Sequence, residues 1–361
     1  AVPESAATSE AQAAELADGS VLFSMRDESR SGQRVWCRFD PKAEAWGKYW
    51  YELPDPSCQA SLLAHSDGSL LFCNPAQSKH RATLTVRTSR NSGLTWSNGR
   101  VIDARPSQGS CLSTLKDGRI ALLYEGETGL SFARIWPEGT NLAAVPVPRD
   151  EADGASDWWI GQRAEKFEEA KRTPPDLLFL GDLHTLGWSN AGARIWQQHY
   201  GHRRAAHFGF DGDSTQHLLW RIQKGELDGL QPRLIVLQIG THNLNNKQSS
   251  PEQIAVGIKA VVDSIAQKCP GSRVLLLGIL PRQLQTSDAL RQRGEEVNAL
   301  LPPIADGKRV FFLNIGHAFL DAKGVLLPHI SPDQFHLTTK GYALWAEAIE
   351  SALQSLLETA P

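Results

Sequence analysis

Two fold classes share this sequence. Residues 1–136 predict an all-β partial propeller of about three blades, residues 137–157 a linker, and residues 158–361 a doubly wound α/β parallel sheet. Three observations predict this. Asp-Gly pairs at Asp18, Asp67 and Asp117 recur with a period of 49 to 50, each flanked by apolar residues. From Pro175 onward, apolar runs of strand length alternate with helical patterns. The run Leu177-Leu178-Phe179-Leu180 ends in Gly181-Asp182 and then turns polar. Such a run reads as a buried parallel strand delivering a loop to the top of a sheet, where ligands of open α/β folds bind.

Composition bounds the answer. A chain of 361 residues suggests two or three domains, and 41% hydrophobic with 21% charged content is ordinary for a globular protein. A net charge of −3 excludes a general attraction for nucleic acid or anionic membrane. No apolar run approaches the roughly 18 residues that span a bilayer. The chain starts at Ala1, which fits a removed leader and a secreted or periplasmic location, or a boundary set elsewhere. Cys37, Cys58, Cys73, Cys111 and Cys269 lack metal-type spacing; they read as buried thiols, with one or two disulfides if the chain is exported.

In the first third, Leu16–Phe23, Ser66–Phe72 and Leu115–Leu122 look alike. Asp-Gly between alternating apolar residues is a hairpin signal, and the period argues for propeller blades. Unrelated hairpins in a sandwich are the alternative. Ser89-Arg90-Asn91-Ser92-Gly93-Leu94-Thr95-Trp96 resembles the Asp-box of sialidases, with Asn91 in place of Asp. That box is a turn held by its own polar side chains, with the Trp packed between strands.

The resemblance to sialidases extends over about residues 8–136. It implies that Glu10 stands at the family's catalytic glutamate. Arg26 and Arg81 then stand at two arginines that clamp a sialic acid carboxylate, a task suited to a planar guanidinium. Gly109 falls where the family has its nucleophilic tyrosine, so sialidase turnover is not expected. Three blades are half of a six-bladed ring. The open edges call for cover by the second domain, a partner chain or further blades.

The linker is rich in Pro, Gly, Asp and Ala. A helix over 159–171 follows, with Phe167 on its apolar side; Trp158 and Trp159 read as packing residues. Strands are expected at 177–180, 204–210, 234–239, 274–278 and 310–314. Helices are expected at 216–224, 250–268, 287–301 and 337–357.

Four motifs in order resemble the SGNH (GDSL-type) hydrolases over about residues 158–358. Gly181-Asp182-Leu183 stands at block one, Gly212 in Phe208–Thr215 at block two, Gly240-Thr241-His242 at block three, and Asp333-Gln334-Phe335-His336 at the last. Gly212-Asp213-Ser214-Thr215-Gln216-His217, Leu219-Trp220-Arg221 and Gly225-Glu226-Leu227 resemble the platelet-activating-factor acetylhydrolase branch. The resemblance implies an ester hydrolase with His336 as base, Asp333 orienting it, and Gly212 among the oxyanion donors. Leu183 occupies the position of the nucleophilic serine and supplies no oxygen. His242 replaces an asparagine donor and can still donate one hydrogen bond.

Thr185 and Ser214 are the nearby hydroxyls a relocated attacker could use. His184, His242 and His336, with Asp182 and Asp333, could instead form a converted zinc site; drift in a silenced site is the plainer alternative. His199, His202, His207 and His217 read as surface or packing residues. No cofactor or metal is expected. The functional expectation is a carbohydrate O-acetylesterase lineage linked to sialylated glycans. The alternative is a non-catalytic glycan-binding or scaffold protein, and Leu183 favours it.

Overall fold

Apolar runs too rich for one buried face build the second half of the molecule. In the computed structural model, which describes residues 7–116, 118–149, 156–245 and 249–358, the chain divides into two compact units, Ala1–Thr140 and Asn141–Pro361.

The first unit is all β. Its strands are β1 (Thr8–Glu15), β2 (Val21–Asp27), β3 (Gln33–Asp40), β4 (Ala45–Trp46), β5 (Trp50–Pro54), β6 (Ser61–Ala64), β7 (Leu70–Pro75), β8 (Ala82–Ser89), β9 (Arg100–Thr114), β10 (Ile120–Gly126) and β11 (Gly129–Ile135). One sheet runs β1-β2-β3-β4 with β5 also on β3; the other runs β11-β10-β9-β8-β7-β6. The repeat is a structural one. Gly19, Gly68 and Gly118 share a φ of +83°, in the left-handed region that favours glycine. Each closes the turn before β2, β7 and β10. In the first two, the Asp18 and Asp67 carboxylates accept from the backbone N–H and hydroxyl of Ser20 and Ser69, at 2.9 and 2.6 Å in both turns. Asp117 lies outside the described residues.

Two sheets replace the three four-stranded units expected. The 15-residue β9 is the reason: its first half pairs with β8 and its second half with β10, fusing the second and third repeats. The turn at Ser89–Thr95 is held by its own side chains. Asn91 Oδ1 accepts from Thr95 N–H at 2.9 Å and Ser89 Oγ accepts from Gly93 N–H at 2.9 Å. Trp96 packs on Trp36 and Phe72, with ring centroids 5.1 and 5.8 Å apart.

The second unit carries strands β12 (Leu177–Gly181), β13 (Ala205–Gly209), β14 (Leu234–Gln238), β15 (Arg273–Leu277) and β16 (Val310–Leu313), all parallel, in the order β13-β12-β14-β15-β16. This is the doubly wound 2-1-3-4-5 order, whose switch point lies beside β12. Alternate residues divide between two cores. Leu178, Leu180, Ile235, Leu237, Val274 and Leu276 face one; Leu177, Phe179, Leu234, Val236, Leu275 and Leu277 face the other. A sheet covered on both faces needs such unbroken apolar strands, each fully buried leucine contributing about 1.5–3 kcal/mol.

Among the described residues, seven α-helices flank the sheet: α1 (Ser156–Arg172), α2 (Leu183–Leu186), α3 (Ala193–Tyr200), α4 (Thr215–Arg221), α5 (Pro251–Lys268), α6 (Ala289–Leu300) and α7 (Thr339–Glu358). Ser250 and Gln253 cap α5 reciprocally, with Pro251 at its first position. The short α2 and α3 were not expected from the sequence. Trp159 is fully buried, whereas Trp158 is 44% exposed. All five cysteines are free thiols, and Cys111 is the exposed one.

Residues 141–149 differ from a free linker. Asn141 donates to Gln253 O at 3.0 Å, and Thr215 Oγ1 donates to Ala143 O at 2.7 Å. Gly257 makes the notch for this strap, since a Cβ there would lie 2.5 Å from Ala143 O. The rest of the expected linker, 150–155, lies outside the described residues.

Candidate active site

The end of β12 sets the site. Gly181 leaves the sheet, and Asp182 caps α2 by accepting His184 N–H at 3.1 Å. Leu183 is therefore the first residue of α2. Backbone is crowded here: a Cβ on Gly181 would lie 2.1 Å from Gln238 O, and one on Gly209 would lie 2.0 Å from Leu186 N. Only glycine lets α2 sit this close to the strand ends.

Leu183 and His336 line one cavity of about 230 Å³, together with Leu186, Asp211, Leu337 and Tyr342 among others. Asp333 Oδ2 meets His336 Nδ1 at 2.5 Å, and Asp333 Oδ1 accepts the backbone N–H groups of Phe335 and His336 at 3.1 and 2.8 Å. Burial would raise the Asp333 carboxyl, but these hydrogen bonds outweigh it and hold it below the usual carboxylate range. With Nδ1 engaged, His336 Nε2 is left to the cavity; the side chain is 61% exposed.

Gly212 sits at φ +74°, just past β13. The Arg149 guanidinium, donating to Asp211 O, lies against its Cα. The next residue, Asp213, is fully buried and accepts from Trp159 Nε1 and Arg221 Nε, each at 2.8 Å. Burial pushes the Asp213 carboxyl up to about 7, against the pull of Arg221 and Trp159. Glu226, also buried, takes a second hydrogen bond from Arg221. Arg221 thus braces the loop that presents Gly212.

His242 stands 3.9 Å from Asp211 Oδ1, and its buried Nε2 has no hydrogen-bond partner. Burial holds its imidazole below the usual range, against the pull of Asp182 and Asp211. That favours the neutral ring, which donates a single hydrogen bond. Phe335 packs against His184, His242 and His336, with the Arg282 guanidinium 3.9 Å from its ring centroid.

The substitute hydroxyls do not line this cavity. Thr185 is 1% exposed, with Oγ1 turned toward Gly181. Ser214 caps α4 in a reciprocal pair with His217. The three histidines are not gathered as ligands either: among the described residues, no group of three His, Cys, Asp or Glu could hold a metal ion. His184 instead faces the carbonyl of Phe335, 2.9 Å from Nε2. His207 and His217, read as surface or packing residues, are largely buried, and burial pushes them down to about 3 and about 4.

The first unit holds a second concavity of about 480 Å³. Glu10, Arg26, Arg81 and Gly109 all line it, with Gln108 and Glu125. Arg26 pairs with Glu10 at 3.0 Å and lies 3.3 Å from Glu28; Arg81 donates to Gln108 Oε1 at 2.9 Å. Gly109 leaves no side chain at the wall. Beneath it, buried Arg34 faces buried Asp55 at 3.6 Å.

Sequence reasoning missed Asp211, Arg149, Phe335 and Arg282. Arg282 follows the β15 run, so the strand-end rule offered a signal for it. Arg149 gave none, lying in a stretch that reads as linker.

A 2-1-3-4-5 sheet presenting an Asp–His pair at its strand ends defines an acylhydrolase-type α/β protein. Residues 179–344 match the GDSL-like lipase/acylhydrolase family, and the chain belongs to it. It is similar to platelet-activating factor acetylhydrolase IB subunit alpha2 of Rattus norvegicus, 34% identical over 226 residues, covering 62% of this chain and 94% of that one. A GDSL-like lipase structure from Bacteroides thetaiotaomicron superposes with a TM-score of 0.42 at 17% identity, covering 52% of this chain and 97% of that one. A Hadza microbial sialidase structure superposes with a TM-score of 0.32 at 29% identity, covering 36% of this chain and 27% of that one.

Proposed function

We propose that the α/β unit binds a short acyl ester of a carbohydrate in the cavity at Leu183 and His336, and that the serine route of its family is closed in this chain. One observation carries this reading. Among the described residues that line the cavity, the one hydroxyl, that of Tyr342, donates to His184 O at 2.8 Å, and burial pushes it further from ionisation. Base, orienting acid and oxyanion glycine remain, but the described residues of the wall offer no free hydroxyl to attack as the family's serine does.

The same reading gives the first unit an acidic sugar as ligand, a sialylated glycan by its arginines. Arg26 and Arg81 on one concavity support it, since guanidinium groups suit a carboxylate. The three repeats read as part of a propeller whose exposed edge strand β11 takes a partner chain. A glycan substrate fits a secreted or periplasmic place of action; no described helix is long and apolar enough to cross a membrane.

A serine-directed fluorophosphonate tests the closed route. The chain should stay unlabelled, as read by intact mass, while an acetylated sugar still perturbs the His336 ring resonances. Labelling of the unmodified chain, or no response of His336 to any short acyl ester, would sink the proposal.

A further inference from the structure

We infer that this chain hydrolyses activated short acyl esters slowly by a direct attack of water, with the Asp333–His336 pair as general base, and without an acyl-enzyme. The inference rests on the acyl-ester reading of the cavity given above. Four observations carry it. The pair is joined at 2.5 Å, so the imidazole is oriented with Nε2 free. His336 borders the cavity together with Leu183. Thr185 and Ser214 are both buried and neither lines the cavity, so the attacker in this scheme comes from solvent. The cavity, at about 230 Å³, exceeds the space of an acetyl group and one water, whose share of liquid is about 30 Å³.

The step balances without a co-reactant. His336 Nε2 takes a proton from water, the water oxygen bonds to the carbonyl carbon, and the carbonyl π pair moves onto its oxygen. Gly212 N–H and the His242 ring, which stand at the family's oxyanion positions, are the donors this scheme assigns to that oxyanion. When the intermediate collapses, the carbonyl re-forms, the C–O bond to the alcohol breaks, and the proton held by His336 goes to the departing oxygen. Ester and water become acid and alcohol. Asp333 stays ionised and holds the ring throughout.

Leu183 sets the rate in this scheme. Its side chain narrows the part of the cavity that the water shares with the ester, whereas in the serine route the same position supplies the attacker. Leu183→Ala therefore adds no nucleophile but admits water.

The experiment measures hydrolysis of an aryl acetate by the full chain, Leu183→Ala and His336→Gln, with a rapid-mixing arm to detect a burst. His336 is exposed, so its variant should fold. The unmodified chain should exceed buffer, with no burst and no acetyl adduct by mass. His336→Gln should lose about 10²-fold, the low end for a general base, and Leu183→Ala should gain several-fold. Equal rates for the unmodified chain and His336→Gln would overturn the inference, as would a stoichiometric burst or an acetylated residue. A methyl ketone analogue separates the two failures. If it shifts the His336 resonances while His336→Gln leaves the rate untouched, the water route falls and the acyl-site reading stands. If it does not bind, both fall.

Discussion

In the α/β unit, Asp333 and His336 stay joined beside an apolar residue at 183. In the β unit, position 109 is glycine, and the arginines around it have turned to protein partners: Arg26 to Glu10 and Glu28, Arg81 to the amide of Gln108. The difference lies in what holds each helper. Asp333 accepts two N–H groups of its own turn, so its geometry is built into the backbone. Of the concavity arginines, Arg26 sits on β2 and Arg81 just before β8, and neither is fixed by its own turn: Arg26 pairs with side chains and Arg81 reaches Gln108 and the carbonyl of Ser57. Losing the attacker leaves the first site poised and the second self-paired.

The sharpest way to break this comparison is through the buried arginine of each unit. Arg221→Met should destabilise the chain by about 3–5 kcal/mol, because Asp213 and Glu226 would lose the cation they share. Arg34→Met, which strands one carboxylate at the longer distance of 3.6 Å, should cost less. Urea midpoints of the two variants give the order, and the reverse order would undo the view that the α/β site has the firmer scaffold.

Restoring an attacker to each unit comes next. Leu183→Ser should raise short-ester hydrolysis by about 10²-fold or more and produce a burst, since base and orienting acid already stand in place. Adding His242→Asn should bring about a further tenfold through a better oxyanion donor. Gly109→Tyr should yield no sialoside cleavage, because Arg26 and Glu10 are already paired with each other. Turnover by Gly109→Tyr, or silence from Leu183→Ser, would break the contrast.

A smaller effect is expected from pH. Burial keeps His217 neutral down to about 4, while the unfolded chain protonates near 6.5. The unfolded state therefore binds more protons within that window, and stability falls as pH drops through it. His217→Gln keeps an acceptor for Ser214 N–H and removes the titration. Its advantage over the parent should grow to at most about 3 kcal/mol between pH 6.5 and 4, as read by denaturant melts. The smallest effect belongs to the self-paired site. Glu10→Gln breaks a half-exposed pair and should change stability by less than about 1 kcal/mol. It should also free Arg26, so sialic acid binding measured by titration calorimetry should tighten.

What the sequence showed of this arrangement was whatever a local motif can carry. Gly181-Asp182, Gly212 and Asp333-x-x-His336 each place a group through the chain segment that contains it. Arg149 joins the site only through the fold, and no local pattern reports that; Arg282 follows the β15 run, while Asp211 and Phe335 lie inside the motif segments without a pattern that marks their own roles. The same limit explains β9. Its first half reads as the end of one repeat and its second half as the start of the next, and nothing local shows that the strand runs through. The helices α2 and α3 are too short for a periodicity to emerge, with Gly187 and Gly192 beside them.

The close packing of Gly181 and Gly209 against α2 has an evolutionary side. A leucine codon of the TTA or TTG type is a single base from a serine codon. Where position 183 carries such a codon, one mutation restores serine for as long as the strand ends keep their glycines. At 181, by contrast, a side chain would meet the carbonyl of Gln238 and the Thr185 hydroxyl, and at 209 the backbone of α2. Lineages that lose those glycines close the route back. Descendants carrying serine at 183 on an unchanged Gly181 and Gly209 background are thus accessible by drift alone.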